Sequence, residues 1–329
     1  MLESQPSSGV PGGGAVARTA GAAGSARGRP SHGFPVSVVV LTYNRVSELL
    51  RTLSHLARLP ERPPVVVVDN GSQDGTADFV REHFPQMRLV CWKRNLGAAG
   101  RNLGVAEVRT PYVAFCDDDT WWAPHSLGRA AELLDAHPDV AALAARVLVG
   151  PEEREDSTCA LMARSPIDAT GLPGPGLIGF MAGAVVMRTD AYRAVGGYEP
   201  RLFLGGEERL MGLDLAAQGW RMAYVPELVV HHHPSRLRDV TARRTLMLRN
   251  ELWIAWMRLP WPCALRETGR ALRAMVQAGR LPDTLWAALK GLPWALQRRR
   301  VVPPAVGTMW QQVVGKPGRR HDRRIAARA

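Results

Sequence analysis

The stretch Pro111-Tyr112-Val113-Ala114-Phe115-Cys116-Asp117-Asp118-Asp119 sets a short apolar run directly against three acids. The run has the length and composition of a buried strand, so the acids fall together at its C-terminal edge. Ligands of open α/β sheets bind at that edge. Three carboxylates packed side by side repel one another unless a cation neutralises them. Mg²⁺ and Mn²⁺ prefer carboxylate oxygen and commonly share their shell with substrate phosphates. The plainer alternative is a solvated turn in which an aspartate caps the next helix.

Outward from this stretch the pattern is periodic. Val36–Leu41 and Val65–Val68 are Val-rich runs, and Arg88–Cys91 is a shorter one. Between the first two lies a helical repeat with Val46, Leu49, Leu50, Leu53, Leu56 and Leu59 on one face, begun by Asn44 as a cap and ended by Pro60, Pro63 and Pro64. Further helices are expected over roughly 76–83 and 98–108. The order β-α-β-α-β-α-β predicts a mostly parallel, Rossmann-like sheet flanked by helices. Right-handed crossovers then bring Thr42–Arg45, Asp69–Asp74 and Asp117–Asp119 to one rim.

Beyond the acids the sequence predicts a helix near 125–136 and strands near 141–148 and 181–187. Residues 150–178 are rich in Pro and Gly and read as an irregular, mobile loop. Two short strands, Met222–Val225 and Leu228–Val230, lead into His231-His232-His233. Within the loop, Gly174-Pro175-Gly176-Leu177-Ile178-Gly179 matches the dinucleotide fingerprint in letters only. That motif follows a strand and opens a helix, and a Pro-rich loop does neither.

The 329 residues carry a net charge of +12, unevenly placed. Residues 1–235 hold 22 Lys and Arg against 25 Asp and Glu, whereas residues 236–329 hold 20 against 5. Six of the ten tryptophans also fall in the second part: Trp253, Trp256, Trp261, Trp286, Trp294 and Trp310. Basic amphipathic repeats there (Arg266, Arg270, Arg273 and Arg280 opposite Leu265, Leu272, Met275 and Val276) suit an anionic membrane or nucleic acid, or else pack on the preceding domain. The expected organisation is a disordered segment over 1–34, a catalytic domain over 35–235, a basic Trp-rich helical extension over 236–315 and a disordered basic tail over 316–329. The four cysteines show no metal-type spacing and read as reduced thiols. With no signal-type segment and no run of about 18 apolar residues, a cytoplasmic protein is expected, peripheral on the inner face of the membrane if the basic helices bind lipid.

Taken together these segments resemble the family 2 inverting glycosyltransferases with the GT-A fold, over roughly residues 36–235. The resemblance is carried by Val38–Arg45, by Val67–Thr76, by Arg94–Gly97 with Gly100–Gly104, and by the Asp117–Asp119 triplet. Gly196–Tyr198 through Glu208 and Tyr224–Glu227 before His231–His233 complete it. It implies a nucleoside diphosphate sugar as donor and Mn²⁺ or Mg²⁺ as cofactor. Thr42, Asn44, Arg45, Asp69, Asn95, Arg101, Asp117 and Asp118 would bind the donor. Asp117 and Asp119 would hold the metal, with His232 completing the shell and His231 or His233 as alternatives.

By the same resemblance Glu208 would be the base that deprotonates the acceptor hydroxyl, with Glu207 in reserve. The family usually has Asp at that second position, and Glu is one methylene longer. Trp121 and Trp122 would offer acceptor-binding platforms. Asp214 stands where the family is usually basic, and the sequence gives it no role. The implied activity is inverting hexosyl or deoxyhexosyl transfer to a glycan, lipid-linked or small-molecule acceptor, in cell-envelope or secreted glycan synthesis. The alternatives are a nucleic-acid-binding α/β protein that uses its basic part, and an inactive glycosyltransferase-like scaffold.

Overall fold

In the computed structural model, which describes residues 33–234, 240–279 and 281–314, the Val-rich runs form β1 (Val36–Thr42) and β2 (Val65–Asp69). Next come β3 (Arg88–Cys91) and β4 (Tyr112–Asp117), with α1 (Val46–Ala57), α2 (Thr76–His83) and α3 (Gly100–Glu107) between them. β1 pairs in parallel with both β2 and β4, and β2 pairs in parallel with β3. Every β1, β2 and β4 side chain before the rim is buried or nearly so, which is why these strands read as continuous apolar runs. The register sets Thr42 beside Asp69 and Leu41 beside Asp117, so the three loops leave the sheet on one rim.

The second half of the sheet is mixed. β5 (Thr120–Trp122), α4 (Ser126–Ala136), β6 (Val140–Val149), β7 (Arg154–Glu155), α5 (Ser157–Ala163), β8 (Val185–Arg188), α6 (Thr189–Ala194), α7 (Glu207–Ala217) and β9 (Arg221–His232) follow in turn. The strand order is β3-β2-β1-β4-β8-β6-β9-β5, with β7 beside β6. β8 runs antiparallel to β4 and β6, while β6 and β9 are parallel.

Two expectations change here. The two short strands before the histidines are one strand, β9, interrupted only by a register shift opposite Ala145 and Arg146. Pro226 lies in that irregularity, where its missing N–H removes no ladder bond. The supposed irregular loop contains α5, and its glycines serve close packing. A Cβ at Gly174 would stand 2.0 Å from the Tyr224 carbonyl oxygen, and Gly176 bridges to Ala223 of β9.

The chain continues as α8 (Val240–Arg258), α9 (Trp261–Gln277), α10 (Leu281–Gln297) and α11 (Pro304–Val314). These helices share a hydrophobic core with α7: Leu210 and Leu213 pack with Trp253, Ile254, Trp294 and Trp310. Leu248, Leu252 and Leu259 are buried, as are three of the six tryptophans. Of the apolar set on α9, Leu265 and Val276 are exposed and Met275 alone is fully buried. No helix among the described residues is long and apolar enough to cross a membrane. None of the four cysteines is in a disulfide. Of the disordered segment expected over 1–34, residues 1–32 lie outside the described residues, as does all of 316–329, whereas Phe34 packs against the core.

Candidate active site

The loop after β1 and the loop after β2 are tied together at the rim. Asn44 takes a left-handed backbone (φ 52°) and its Oδ1 accepts from the Gln73 N–H at 2.7 Å, while its own N–H donates to Ser72 Oγ at 2.9 Å. Asn44 therefore does not cap α1. Asp74 does so from the neighbouring loop, accepting from the Val46 N–H at 3.1 Å. Asp69 is buried and turns its own loop by accepting from the Ser72 N–H at 2.9 Å. Asn70, which the sequence patterns do not mark, is the hub beside it. Its Nδ2 donates to Asn95 Oδ1 at 2.9 Å and to the Gly97 carbonyl at 3.1 Å, and its Oδ1 accepts from the Leu96 N–H at 3.0 Å. Asn95 is thereby fixed against the β2 rim. Thr42, last in β1, is buried next to this cluster.

The three aspartates meet two arginines. Arg101, buried on α3, pairs with Asp117, whose side chain is 41% exposed. Arg45 Nη1 stands 3.4 Å from both Asp118 Oδ1 and Asp119 Oδ2. Burial pushes the Asp118 carboxyl up to about 7, against the pull of Arg45. The positive charge at this rim is thus shared thinly among three acids.

Strand alternation selects one of the three histidines. β5 pairs antiparallel with β9, so Thr120 faces His232 and Trp121 faces His231. His232 Nε2 comes to 3.5 Å from Asp119 Oδ1. His231 and His233 leave on the other face, as period-two geometry requires. There His231 Nδ1 contacts Glu153 at 3.2 Å, and the His233 ring lies 4.8 Å from Trp121.

The same alternation changes the expectation for the tryptophans. Trp121 stacks on His55 at 4.2 Å, on the face away from His232, and is buried. Trp122 is fully buried and its indole N–H donates to the Phe115 carbonyl at 3.3 Å. Trp122 presents no face to a sugar, and Trp121 presents none on the side of the acids. Their size and apolar character went to the core, as large aromatics usually do.

Carboxylate oxygen with imidazole nitrogen suits a hard divalent cation in kind. Asp119 and His232 already face each other, and Asp117 stands half-exposed on the same rim. Among the described residues no three His, Cys, Asp or Glu side chains are gathered at metal-binding distance. Asp117, the other candidate donor, is held by Arg101.

The glutamate pair opens α7 after Gly205 and Gly206, both at φ 89°. Only glycine takes that conformation without strain, and packing adds a second demand. A Cβ on Gly206 would come within 2.8 Å of Ile254 on α8. Burial raises both carboxyls: Glu207 goes up to about 8, with the Glu208 charge adding to it, and Glu208 also goes up. Glu207 Oε2 is buried with no hydrogen-bond partner among the described residues. Arg101 feels both glutamates as well as Asp117, and its guanidinium lies 5.9 Å from the centre of the buried Tyr198 ring. One buried cation therefore links the aspartate rim to the glutamate pair.

A second unmarked residue holds the loop that carries the glutamates. Asn250 on α8 is fully buried, and its Nδ2 donates to the carbonyls of Leu202 (2.8 Å), Leu204 (3.1 Å) and Gly205 (2.6 Å). From the other side the Ala98 N–H donates to the Phe203 carbonyl at 2.7 Å. Asp214, without a role in the sequence, pairs with Arg258 of α8 through two bonds, one of them 3.0 Å. It anchors the extension to α7.

This fold is that of a GT-A glycosyltransferase. Residues 37–196 match Glycosyl transferase family 2, the family to which that part of the chain belongs. It is 30% identical over 281 residues to a pre-mycofactocin glycosyltransferase of Mycobacterium tuberculosis, a match that covers 80% of this chain and 57% of that relative. It is 25% identical over 234 residues to an N-acetylglucosaminyl-diphospho-decaprenol L-rhamnosyltransferase of the same organism, covering 60% and 75%. The chain thus spans little more than half the length of the first relative. Among solved structures it is similar to a Pyrobaculum calidifontis mannosyltransferase in complex with GDP-Man and Mn²⁺ (TM-score 0.54, 21% identity, 87% and 86% covered). It is also similar to S. aureus TarS 1–349 in complex with UDP-GlcNAc (TM-score 0.57, 16% identity, 83% of each). At those identities the likeness concerns the fold.

Proposed function

We propose that this protein transfers a sugar from a nucleoside diphosphate sugar to an acceptor hydroxyl in one inverting displacement. The observation that carries the reading is the buried Arg101. It joins Asp117 on the donor rim to Glu207 and Glu208 on the far side, so donor acids and candidate base share one electrostatic unit. Thr42, Asn44, Arg45, Asp69, Asn95 and Arg101 line the donor side. Asp117, Asp119 and His232 are the residues that would hold Mn²⁺ or Mg²⁺. Such an ion supplies positive charge against the leaving diphosphate. Asp118 and Arg45 sit beside that place and tune its charge.

Glu208 takes the acceptor proton and Glu207 is the reserve. Burial raises both carboxyls, which suits a base that must hold its proton once it has taken it. The names of the relatives point to hexosyl or deoxyhexosyl donors, and the rhamnosyltransferase suggests a lipid-linked acceptor in cell-envelope glycan synthesis. The test is a hydrolysis and transfer screen over UDP-, dTDP- and GDP-sugars with Mn²⁺, Mg²⁺ and EDTA, with NMR of the product anomer. Turnover of one donor class, lost in EDTA and giving an inverted anomer, is the expected result. A retained anomer, or full activity in EDTA, would overturn the mechanism.

A further inference from the structure

The outer face of α10 carries an apolar stripe that the fold leaves uncovered. Trp286, Leu289, Pro293 and Leu296 recur at i, i+3, i+7 and i+10, the spacing of a single helix face. Trp286 is 61% exposed, Leu289 49% and Leu296 41%. Pro293 is exposed beside them. The stripe runs for about 15 Å, at 1.5 Å of rise per residue. The opposite face of the same helix is fully used. Ala288, Trp294 and Ala295 are buried there, and the Trp253 indole N–H donates to the Ala288 carbonyl at 2.8 Å. Gly291 seats the Trp253 ring so closely that a Cβ would stand 2.1 Å from it. That seat fixes the rotation of α10, so the stripe cannot turn inward.

Cations border the stripe. Lys290 Nζ lies 4.9 Å over the Trp286 ring, and Arg298 and Arg300 are exposed just past the end of the helix. Residues 261–300 hold eight Lys and Arg against two acids. A helix with Trp and Leu on its free face and cations at the border is built for the plane of a lipid interface. Its charge complements anionic headgroups. Pairing two copies of the chain through this face would set like cations against each other, which is costly.

We propose that α10 docks the protein onto an anionic membrane surface. Trp286, Leu289, Pro293 and Leu296 enter the acyl boundary, and Lys290, Arg298 and Arg300 lie among the headgroups. This inference is independent of the proposed reaction.

The test is co-sedimentation of the full chain with vesicles of phosphatidylcholine alone or with 30 mol% phosphatidylglycerol (roughly the anionic content that such surface attraction needs). Binding is expected only to the anionic vesicles. It should weaken at least about tenfold in 1 M salt, where the Debye length is about 3 Å. The double variant Trp286→Ser/Leu289→Ser changes exposed side chains only, so its melting curve should match the parent while its partitioning falls at least about tenfold. Lys290→Glu should lower partitioning by about 25-fold, at about fivefold per unit charge. The proposal is overturned if the parent ignores anionic vesicles, or if the double variant binds them as well as the parent. It is also overturned if light scattering shows a parent dimer that the double variant loses while neither protein binds vesicles.

Discussion

At the strand rim, Asp117, Asp118 and Asp119 share two arginines, whereas in the helical extension three arginines are spent on carbonyl groups, indole faces and one paired acid. Arg299 donates to the carbonyls of Trp256 and Leu259 (the latter at 2.9 Å) and lies 4.3 Å over Trp261. Arg249 lies 4.3 Å over Trp253 and donates to the Leu202 carbonyl at 3.0 Å. Arg258 is spent on Asp214. The rim keeps charges crowded and incompletely matched, with raised carboxyls at Asp118, Glu207 and Glu208. In the helices Arg249, Arg258 and Arg299 are matched within the chain. Unresolved charge marks the place where a ligand completes the structure, and resolved charge marks the place where the chain holds itself together. Three cations of the basic excess that suggests a nucleic-acid partner in the sequence, Arg249, Arg258 and Arg299, are internal cement.

The sharpest way to break this contrast is to neutralise a rim acid. Glu208→Gln should lower turnover by roughly 10²–10⁴-fold, the usual worth of a positioned base. Its stability should not fall, because the amide removes a buried charge. Steady-state kinetics beside thermal melting checks both halves. Unchanged turnover would move the base to Glu207. Asp119→Ala should likewise abolish turnover and Mn²⁺-dependent binding of the nucleoside diphosphate, measured by calorimetry.

Asn250→Ala should cross the boundary between the two regions. It leaves the buried Gly205 carbonyl and the part-buried Leu204 carbonyl without this donor, while Leu202 keeps Arg249. At about 1–3 kcal/mol for an unsatisfied buried group and less for a part-buried one, a loss of about 2–4 kcal/mol is expected in urea unfolding. Because that loop carries Glu207 and Glu208, kcat should fall further than donor affinity. Equal loss of both would make Asn250 a packing residue only.

Within the extension, Arg258→Met should cost about 1–3 kcal/mol by stranding Asp214, a partly buried acid. Adding Asp214→Leu should restore most of that loss, since an apolar pair can replace a buried ion pair. A double variant no better than the single one would show that Asp214 does more than anchor α8.

How far these features were legible follows from the kind of signal each leaves. The parallel half was open to reading because β1, β2 and β4 are buried on both faces, and each leaves an unbroken apolar run in the sequence. Pro226 made one strand look like two, since a bulge and a chain break leave the same mark. The resemblance put His232 first among the three histidines, and the pairing of β5 with β9 adds that His232 takes the face of Asp119. Trp121 and Trp122 misled because an aromatic beside acids has the same composition whether it faces ligand or core. Asn70 and Asn250 left no pattern at all. Each is a lone polar residue whose importance lies in which distant carbonyls it meets. The inward arginines were hidden for a related reason: amphipathic spacing gives the position of a guanidinium but not what it caps.

The smallest effect expected is one of pH, at the buried Glu207. Its folded carboxyl is raised from 4.5 to about 8, first by burial and then by the neighbouring Glu208 charge. The folded state therefore binds a proton that the unfolded chain has released between these values. Over that window stability must fall as pH rises, because the native state binds more protons than the unfolded one. Below pH 4.5 the group is neutral in both states and costs nothing. Glu207→Gln removes the titration while keeping the shape. The variant should melt within about 1 °C of the parent at pH 4 and above it at pH 8.5, with the gain growing as pH rises through the window between the two values. Differential scanning calorimetry at the two pH values checks the sign. A variant that gained as much at pH 4 as at pH 8.5 would show that the rim's crowding is steric, and the electrostatic half of the contrast would fall.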